Sequence, residues 1–252
     1  MTEHGPVRHP TDGAVRIVIA RVPPRCPPVE SCDPDDRRAA RGFMAGRDGV
    51  RLLWRRLLTR ILVGEYVGVP ARDIDLRHDN RGRPWAAHHG RRLELGFSPS
   101  RSRDWIACAV GPLPLGLDIE ERPTVHRPVP PAMAKGVLHP AERTPGPVGR
   151  AELLRVWTLK EALAKATGHG IGHGGLSAMH TDLRAAGSVL VDAGAWADAG
   201  DWQLRPLDLG VPVYAALAVR ATGRGTRAPA VHVSTRSLLP HCPGCRGTPG
   251  GR

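Results

Sequence analysis

Five side chains in the 252-residue chain have the types and spacing to do ionic chemistry together: Asp118, Glu120, Lys160, Glu161 and Lys165. Asp118 and Glu120 stand one residue apart in an otherwise apolar run, LPLGLDIE, which reads as a strand. Successive strand side chains alternate faces, so the two acids point the same way, about 6–7 Å apart along the chain. Carboxylates placed like this repel and raise each other's pKa unless a cation sits between them. Glu161 and Lys165 are spaced i, i+4 in the order that favours a helical ion pair, worth about 0.3–0.5 kcal/mol on an exposed face. Alone, that is a surface pair. Joined to Asp118 and Glu120, the helix supplies a third acid and two lysines to one pocket. Three carboxylates with lysines nearby suit a hard cation and a phosphate chain, because Mg²⁺ takes oxygen ligands and shares them with substrate phosphates.

The elements that must position these residues are legible in the periodicity. Gly149 to Gly168, GRAELLRVWTLKEALAKATG, is the strongest helix, with good helix formers throughout and glycine where a C-terminal cap belongs. Leu153, Val156, Trp157, Leu163 and Ala164 form its apolar stripe, and Lys160 projects into the middle of it. A lysine there must reach a carboxylate or a phosphate, or snorkel out of the core, because an unpaired buried ammonium costs several kcal/mol or neutralises. Ala14 to Val22 alternates apolar and basic residues as a strand does. Ile106 to Val110 is a compact apolar strand, and LGLDIE follows the GPLP turn, so the two are expected to neighbour one another in a sheet. From about Asp35 to Val63 leucines recur at helical spacing with Arg51, Arg55, Arg56 and Arg60 interleaved; most of these arginines read as a solvated face. VLHPAER, residues 137 to 143, reads as a helix start with proline in the first turn. VLVDAGAW and VPVYAALAVR read as further strands, and the likeness of DWIACAV to PVYAALAV hints at a duplicated architecture.

Composition bounds the rest. A chain of this length, 41% hydrophobic, can build a real core as one large domain or two small ones. The net charge of +12 favours an acidic partner. Only three of the 36 basic residues are lysines, and two of them are Lys160 and Lys165, which suggests that a compact point charge is needed there. A nucleic-acid binder is the non-enzyme alternative, but its ten aromatic side chains (six Trp, two Tyr, two Phe) are scattered rather than interleaved with the basic runs. No apolar leader and no 18-residue apolar run occur, so a soluble, cytoplasmic protein with no membrane partner is expected. Five cysteines are an odd count for a disulfide framework. Cys242-Pro-Gly-Cys245 could supply half a zinc site with His232 or His241, yet a loose tail is the preferred reading, and residues 223 to 252, which hold no acid, are expected to be disordered. Gly170 to Gly175 satisfies G-x-G-x-x-G but follows a helix, so it reads as a helix-ending loop with His169 and His173 in solvent.

Taken in order and spacing, the motifs resemble the paired signature of the 4′-phosphopantetheinyl transferases, roughly G-x-D-x-E and then W-x-x-K-E-A-x-x-K. GLDIE and, about forty residues on, WTLKEALAK match it. Upstream, Arg51 falls where that family carries a basic residue, Gly82-Arg83-Pro84 resembles its G-[KR]-P turn, FSPSRS stands where it has F-N-x-S-H-S, and VLHPAER resembles its V-L-[ST]-P-x-E segment. The resemblance spans about residues 14 to 220 and suits the larger, monomeric class that activates polyketide and nonribosomal peptide synthetases. It implies an α/β (α+β) fold of two similar halves related by a pseudo-twofold, here residues 14–112 (nucleotide-end binding) and 113–222 (metal and catalytic residues), meeting at a cleft for coenzyme A. It implies Mg²⁺-dependent transfer of the phosphopantetheine arm of coenzyme A to a serine of an acyl or peptidyl carrier protein, with release of 3′,5′-ADP. Asp118, Glu120 and Glu161 would then hold Mg²⁺, Glu161 would also serve as base, Lys165 would contact a phosphate, and Lys160 would brace it or the acids. Arg51, Arg83, Pro84, Ser100 and Arg101 would bind the nucleotide end. Arg101 stands where the family's histidine helps bind the 3′-phosphate, and Ser98-Pro99 replace its Asn-x pair; arginine is itself a natural phosphate ligand, so retained binding is expected over a weakened or inactive member.

Overall fold

A computed structural model describes residues 13–43, 46–80, 82–168, 175–182, 189–192, 202–220 and 229–238. In chain order its elements are β1 (Val15–Arg21), α1 (Pro34–Arg41), α2 (Gly46–Val67), β2 (Ile74–His78), β3 (Pro84–His88), β4 (Arg91–Arg92), β5 (Gly96–Ser102), β6 (Trp105–Gly111), β7 (Leu115–Glu121), α3 (Pro131–Val137), α4 (Arg150–Thr167), β8 (His180–Asp182), β9 (Val189–Asp192), β10 (Trp202–Leu207), β11 (Val213–Arg220) and β12 (Val231–Arg236). The mixed α+β architecture agrees with the expectation.

Alternation along the strands sets the layers. In β1 and β6, Val18, Ala20, Ile106, Cys108 and Val110 pack against Leu58, Leu62, Val63 and Tyr66 of α2. Their alternate neighbours Ile17, Ile19, Ala107 and Ala109 meet Leu115, Leu117 and Ile119 of β7 and Ala215, Leu217 and Val219 of β11. The opposite face of β11, Ala216 and Ala218, packs with Leu159, Ala162 and Leu163 of α4. Strands buried on both faces read as continuous apolar runs, as these do. The layers are therefore α2, a sheet ordered β12-β1-β6-β5, a sheet ordered β10-β11-β7, and α4. One long helix packs on each of these two sheets, and β6 and β11, the two similar segments, are each internal strands of their sheets.

Three expectations are corrected. β6 and β7 are not paired: β6 has both edges filled by β1 and β5, so β7 pairs antiparallel with β11 instead. The helix expected over about Asp35 to Val63 is two helices. Asp33 caps the first by accepting from the Asp35 N–H, Gly42 ends it, and α2 runs on to Val67. Residues 223 to 252 are not a tail throughout, because Val231–Arg236 pairs in parallel with β1; an alternating β-branched run, VHVST, was averaged away by the glycine- and proline-rich residues around it. Gly170 to Gly174 with His169 and His173, Ala193 to Trp196, and Cys242 and Cys245 lie outside the described residues. No helix among the described residues is long and apolar enough to cross a membrane.

One glycine fixes how closely α4 lies on β7. A Cβ at Gly116 would come within 2.0 Å of the Ala162 carbonyl oxygen and 2.5 Å of the Ala166 nitrogen, both helix backbone. Neither can swing aside as a side chain would. Gly116→Ala is expected to destabilise the fold by about 1–3 kcal/mol through this overpacking; an unchanged midpoint in denaturant unfolding would show that α4 does not approach β7 this closely.

Candidate functional site

The alternation that buries Leu117 and Ile119 between the sheets turns Gly116, Asp118 and Glu120 the other way, toward α4. On α4, Ala162 and Ala166 rest on β7, which brings Glu161 and Lys165, each one residue earlier, alongside the acids. Lys165 Nζ donates to Asp118 Oδ1 at 2.7 Å, to Ser100 Oγ at 3.0 Å and to the Leu117 carbonyl at 3.2 Å. All three ammonium donors are thus used.

The second support comes from β5, whose edge faces the free edge of β7. Ser98, Ser100 and Ser102 share one face, and their hydroxyls accept from the N–H groups of Leu117 (2.9 Å), Ile119 (3.2 Å) and Glu121 (2.9 Å). Three serine oxygens replace the backbone carbonyls of a ladder, which leaves no N–H of that edge strand orphaned at those positions. The same hydroxyls orient the acids: Ser100 donates to Asp118 Oδ1 at 2.9 Å and Ser102 to Glu120 Oε2 at 2.7 Å. Ser100 is therefore buried in the junction and does not face a nucleotide, which corrects that assignment.

Lys160 is also corrected. Its side chain is wholly buried, and its ammonium donates to Glu142 Oε2 at 2.6 Å and the Val137 carbonyl at 2.8 Å, away from Asp118. Glu142 Oε2 accepts as well from the His139 N–H (2.8 Å), and Oε1 accepts from the N–H (2.6 Å) and hydroxyl (2.8 Å) of Thr181. Burial pushes this carboxyl up, but Lys160 and Thr181 more than offset it and leave its pKa below the usual range. VLHPAER proves to be the end of α3 and a 3-10 turn, Pro140–Glu142, that aims this clamp. Lys160 ties α4 to the Pro140–Glu142 turn and contacts neither Asp118 nor Glu120.

Glu161 faces a cleft of 310 Å³ with Lys165, Arg83, Pro84, Arg55 and Arg56 in its walls. Gly82, at φ +79°, turns the chain so that Arg83 reaches α4, where Nη2 donates to the Ala166 carbonyl at 2.9 Å. Arg51 and Arg101 lie elsewhere: Arg51 donates to Asp104 at 2.9 Å and to Asp48 at 3.0 Å, and Arg101 stands 3.5 Å from the same Asp48 oxygen. Of the five residues expected at the nucleotide end, Arg83 and Pro84 line the cleft, together with Lys165, the expected phosphate contact. Sequence reading missed Glu142, Ser98, Ser102 and Arg55. The first was signalled by a lysine in an apolar stripe that demanded a carboxylate, and the serines by their i, i+2, i+4 spacing.

The chemistry of the cluster is that of crowded, desolvated acids. Burial, and then repulsion from Asp118, push the Glu161 carboxyl up to about 7, with Lys165 pulling the other way and Glu120 adding to the rise. Asp118 is raised chiefly by burial against the pull of Lys165, and Glu120 by burial in spite of its bond from Ser102. Asp118 Oδ2 and Glu161 Oε1 are buried with no hydrogen-bond partner. Two orphaned carboxylate oxygens, and a third acid close enough to raise Glu161, fit a hard cation, which would satisfy them and reverse the shifts. Among the described residues, no group of three or more His, Cys, Asp or Glu side chains stands as it is in a position to hold a metal ion. Lys165 holds one oxygen of Asp118 and Ser102 one of Glu120, so the expected gathering of all three acids requires those partners to yield.

Comparison with known proteins bears on this segment. Residues 114–216 match the family model of the 4′-phosphopantetheinyl transferase superfamily. The chain is 30% identical over 150 residues to the 4′-phosphopantetheinyl transferase psf-1 of Bacillus pumilus, covering 56% of this chain and 59% of that one. It is 31% identical over 145 residues to the 4′-phosphopantetheinyl transferase HetI of Nostoc sp., covering 55% of each. It is 25% identical over 130 residues to the 4′-phosphopantetheinyl transferase gsp of Aneurinibacillus migulanus, covering 50% and 51%. The similarity thus spans little more than half the length of these relatives.

Because Glu161 titrates at about 7 when folded and at an ordinary carboxylate value when unfolded, the folded chain holds that proton more tightly. Stability therefore falls as pH rises through that interval, and the raised Asp118 and Glu120 act in the same direction. In denaturant unfolding without divalent metal, the native protein is expected to weaken as pH rises from 4.5 to about 7 and to level off above that. Glu161→Gln, which cannot titrate, should weaken less; equal slopes for the two would contradict the crowding of Glu161.

Proposed function

We propose that the chain, whose residues 114–216 match the 4′-phosphopantetheinyl transferase superfamily model, belongs to that superfamily and transfers the 4′-phosphopantetheine arm of coenzyme A to a serine hydroxyl of an acyl or peptidyl carrier protein. The observation that carries this reading is the pair of buried, unpartnered carboxylate oxygens of Asp118 and Glu161 beside Lys165, at the wall of an arginine-lined cleft. Such a site binds a diphosphate through its cations and a metal through its acids.

In the reaction, the serine oxygen of the carrier bonds to the phosphorus that bears the pantetheine, and the bond from that phosphorus to the bridging oxygen of the diphosphate breaks. 3′,5′-ADP leaves with the bridging oxygen. The serine proton passes to Glu161, whose carboxylate lines the cleft. Asp118, Glu120 and Glu161 would hold Mg²⁺, which when bound would supply Lewis-acid neutralisation of diphosphate charge. Lys165 supplies a second positive charge from the cleft side; in the free protein that charge rests on Asp118. Arg83 and Pro84 line the path toward the nucleotide end. Lys160 and Glu142 act as positioning residues, holding α4 so that Glu161 and Lys165 face the cleft.

The basic surface suits an acidic partner and makes encounter salt-dependent. The reading extends to carrier domains of polyketide and nonribosomal peptide synthases, to a monomer acting in the cytoplasm, and to coenzyme A as co-substrate. Incubated with Mg²⁺, coenzyme A and an apo carrier protein, the purified chain is expected to raise the carrier's intact mass by one phosphopantetheine arm. Glu161→Gln should slow transfer about 100-fold or more. No mass gain on any of a panel of apo carriers that a control enzyme modifies would overturn the proposal.

A further inference from the structure

Lys160 and Lys165 both reach carboxylates from α4, but their surroundings differ. Lys160 is wholly enclosed with Glu142, whose two oxygens also accept from Thr181 and the His139 N–H. That pair is satisfied and shut in. The Lys165 side chain is 32% exposed and lines the cleft, whereas Asp118, which it holds, is only 7% exposed. Its ammonium spends all three donors on Asp118 Oδ1, Ser100 Oγ and the Leu117 carbonyl. Even so, Asp118 Oδ2 and Glu161 Oε1 have no partner. One end of the pair is closed and under-neutralised, and the other opens on the cleft.

An ion that met the demand of Oδ2 and Glu161 Oε1 would share the Asp118 carboxylate with the ammonium. A divalent and a monovalent charge on one desolvated carboxylate repel strongly, and the lysine is the partner with an open path. Lysine is suited to yield, because its charge sits at the end of a flexible four-carbon stem, whereas an arginine fork is tied to its acceptors by a fixed geometry. Its departure leaves Oδ1 satisfied, since Ser100 donates to the same oxygen at 2.9 Å. We infer that Lys165 is the resident counter-ion of Asp118 and is exchanged for the divalent ion, an exchange that turns its ammonium into the cleft toward the diphosphate. Until an anion is there to receive it, Lys165 competes with the metal. Metal and diphosphate therefore bind weakly one at a time and tightly together, and the coupling is reciprocal.

The inference rests on the metal and diphosphate reading proposed above, and the experiment separates the two. Mn²⁺ binding by the full chain is followed by electron paramagnetic resonance at pH 8, with and without pyrophosphate. Native protein is compared with Lys165→Gln, which can still donate to Asp118 but carries no charge. Without pyrophosphate, Lys165→Gln should bind Mn²⁺ about tenfold more tightly than native protein. Pyrophosphate should tighten Mn²⁺ binding by a larger factor in native protein than in Lys165→Gln, chelation in solution being common to both. In native protein, acetylation by acetic anhydride, read by peptide mass spectrometry, should label Lys165 several-fold faster with Mn²⁺ than without it, and pyrophosphate should slow it again. Exposed Lys135 and enclosed Lys160 are the references, and this readout decides the matter if Lys165→Gln does not fold. Equal or weaker Mn²⁺ binding by Lys165→Gln without pyrophosphate overturns the inference and leaves the metal reading intact. An equal gain from pyrophosphate in both proteins, or labelling of Lys165 that ignores Mn²⁺, does the same. Native protein that binds no Mn²⁺ even with pyrophosphate overturns both.

Discussion

The close seating of α4 on β7 is the constraint on which the site depends. With hydrogen alone at Gly116, the helix backbone comes near enough that Asp118 and Glu120, on the same strand face, meet Glu161 and Lys165 in a space largely closed to water. Desolvation then does what an open surface would not. It raises the acids, leaves carboxylate oxygens orphaned, and makes a counter-cation worth more than it would be in solvent. Lys165 supplies part of that counter-charge and leaves the remainder unmet. A pocket with residual demand for positive charge on one side and arginines on the other suits the proposed metal and phosphate chain together.

Two devices keep the seating from relaxing. The serine face of β5 binds the edge of β7 through side chains, so the sheets are joined where no backbone ladder runs and the acids are oriented by the same hydroxyls. On the far side of α4, the Lys160–Glu142 pair fixes the rotation of the helix, with Thr181 and the His139 N–H filling the remaining capacity of the carboxylate. A buried pair satisfied this fully is costly to break from one side, which suits a positioning role better than a catalytic one.

Much of this arrangement was legible in the chain. Alternation in LPLGLDIE settled the strand and the common direction of its acids, and helical spacing put Glu161 and Lys165 on one edge of α4 with Lys160 on another. What could not be read was partner choice. Periodicity does not say which strand fills which edge, so β6 and β7 looked like neighbours although β1 and β5 had taken both edges of β6. Nor does it say which of several arginines finds an acid: Arg51 and Arg101 converge on Asp48, whereas Arg55, grouped with a solvated face, turns into the cleft. Composition misled at Val231–Arg236, where a six-residue strand lies within a segment dominated by turn formers.

Divalent binding by the native full-length chain tests the central claim most directly. In a Mn²⁺ titration followed by electron paramagnetic resonance, with pyrophosphate present to complete the shell, one ion should bind per chain, and Asp118→Asn should weaken it about tenfold or more. Binding that Asp118→Asn leaves untouched, or no protein-bound ion at all, would mean that the crowded carboxylates between β7 and α4 are not a cation site.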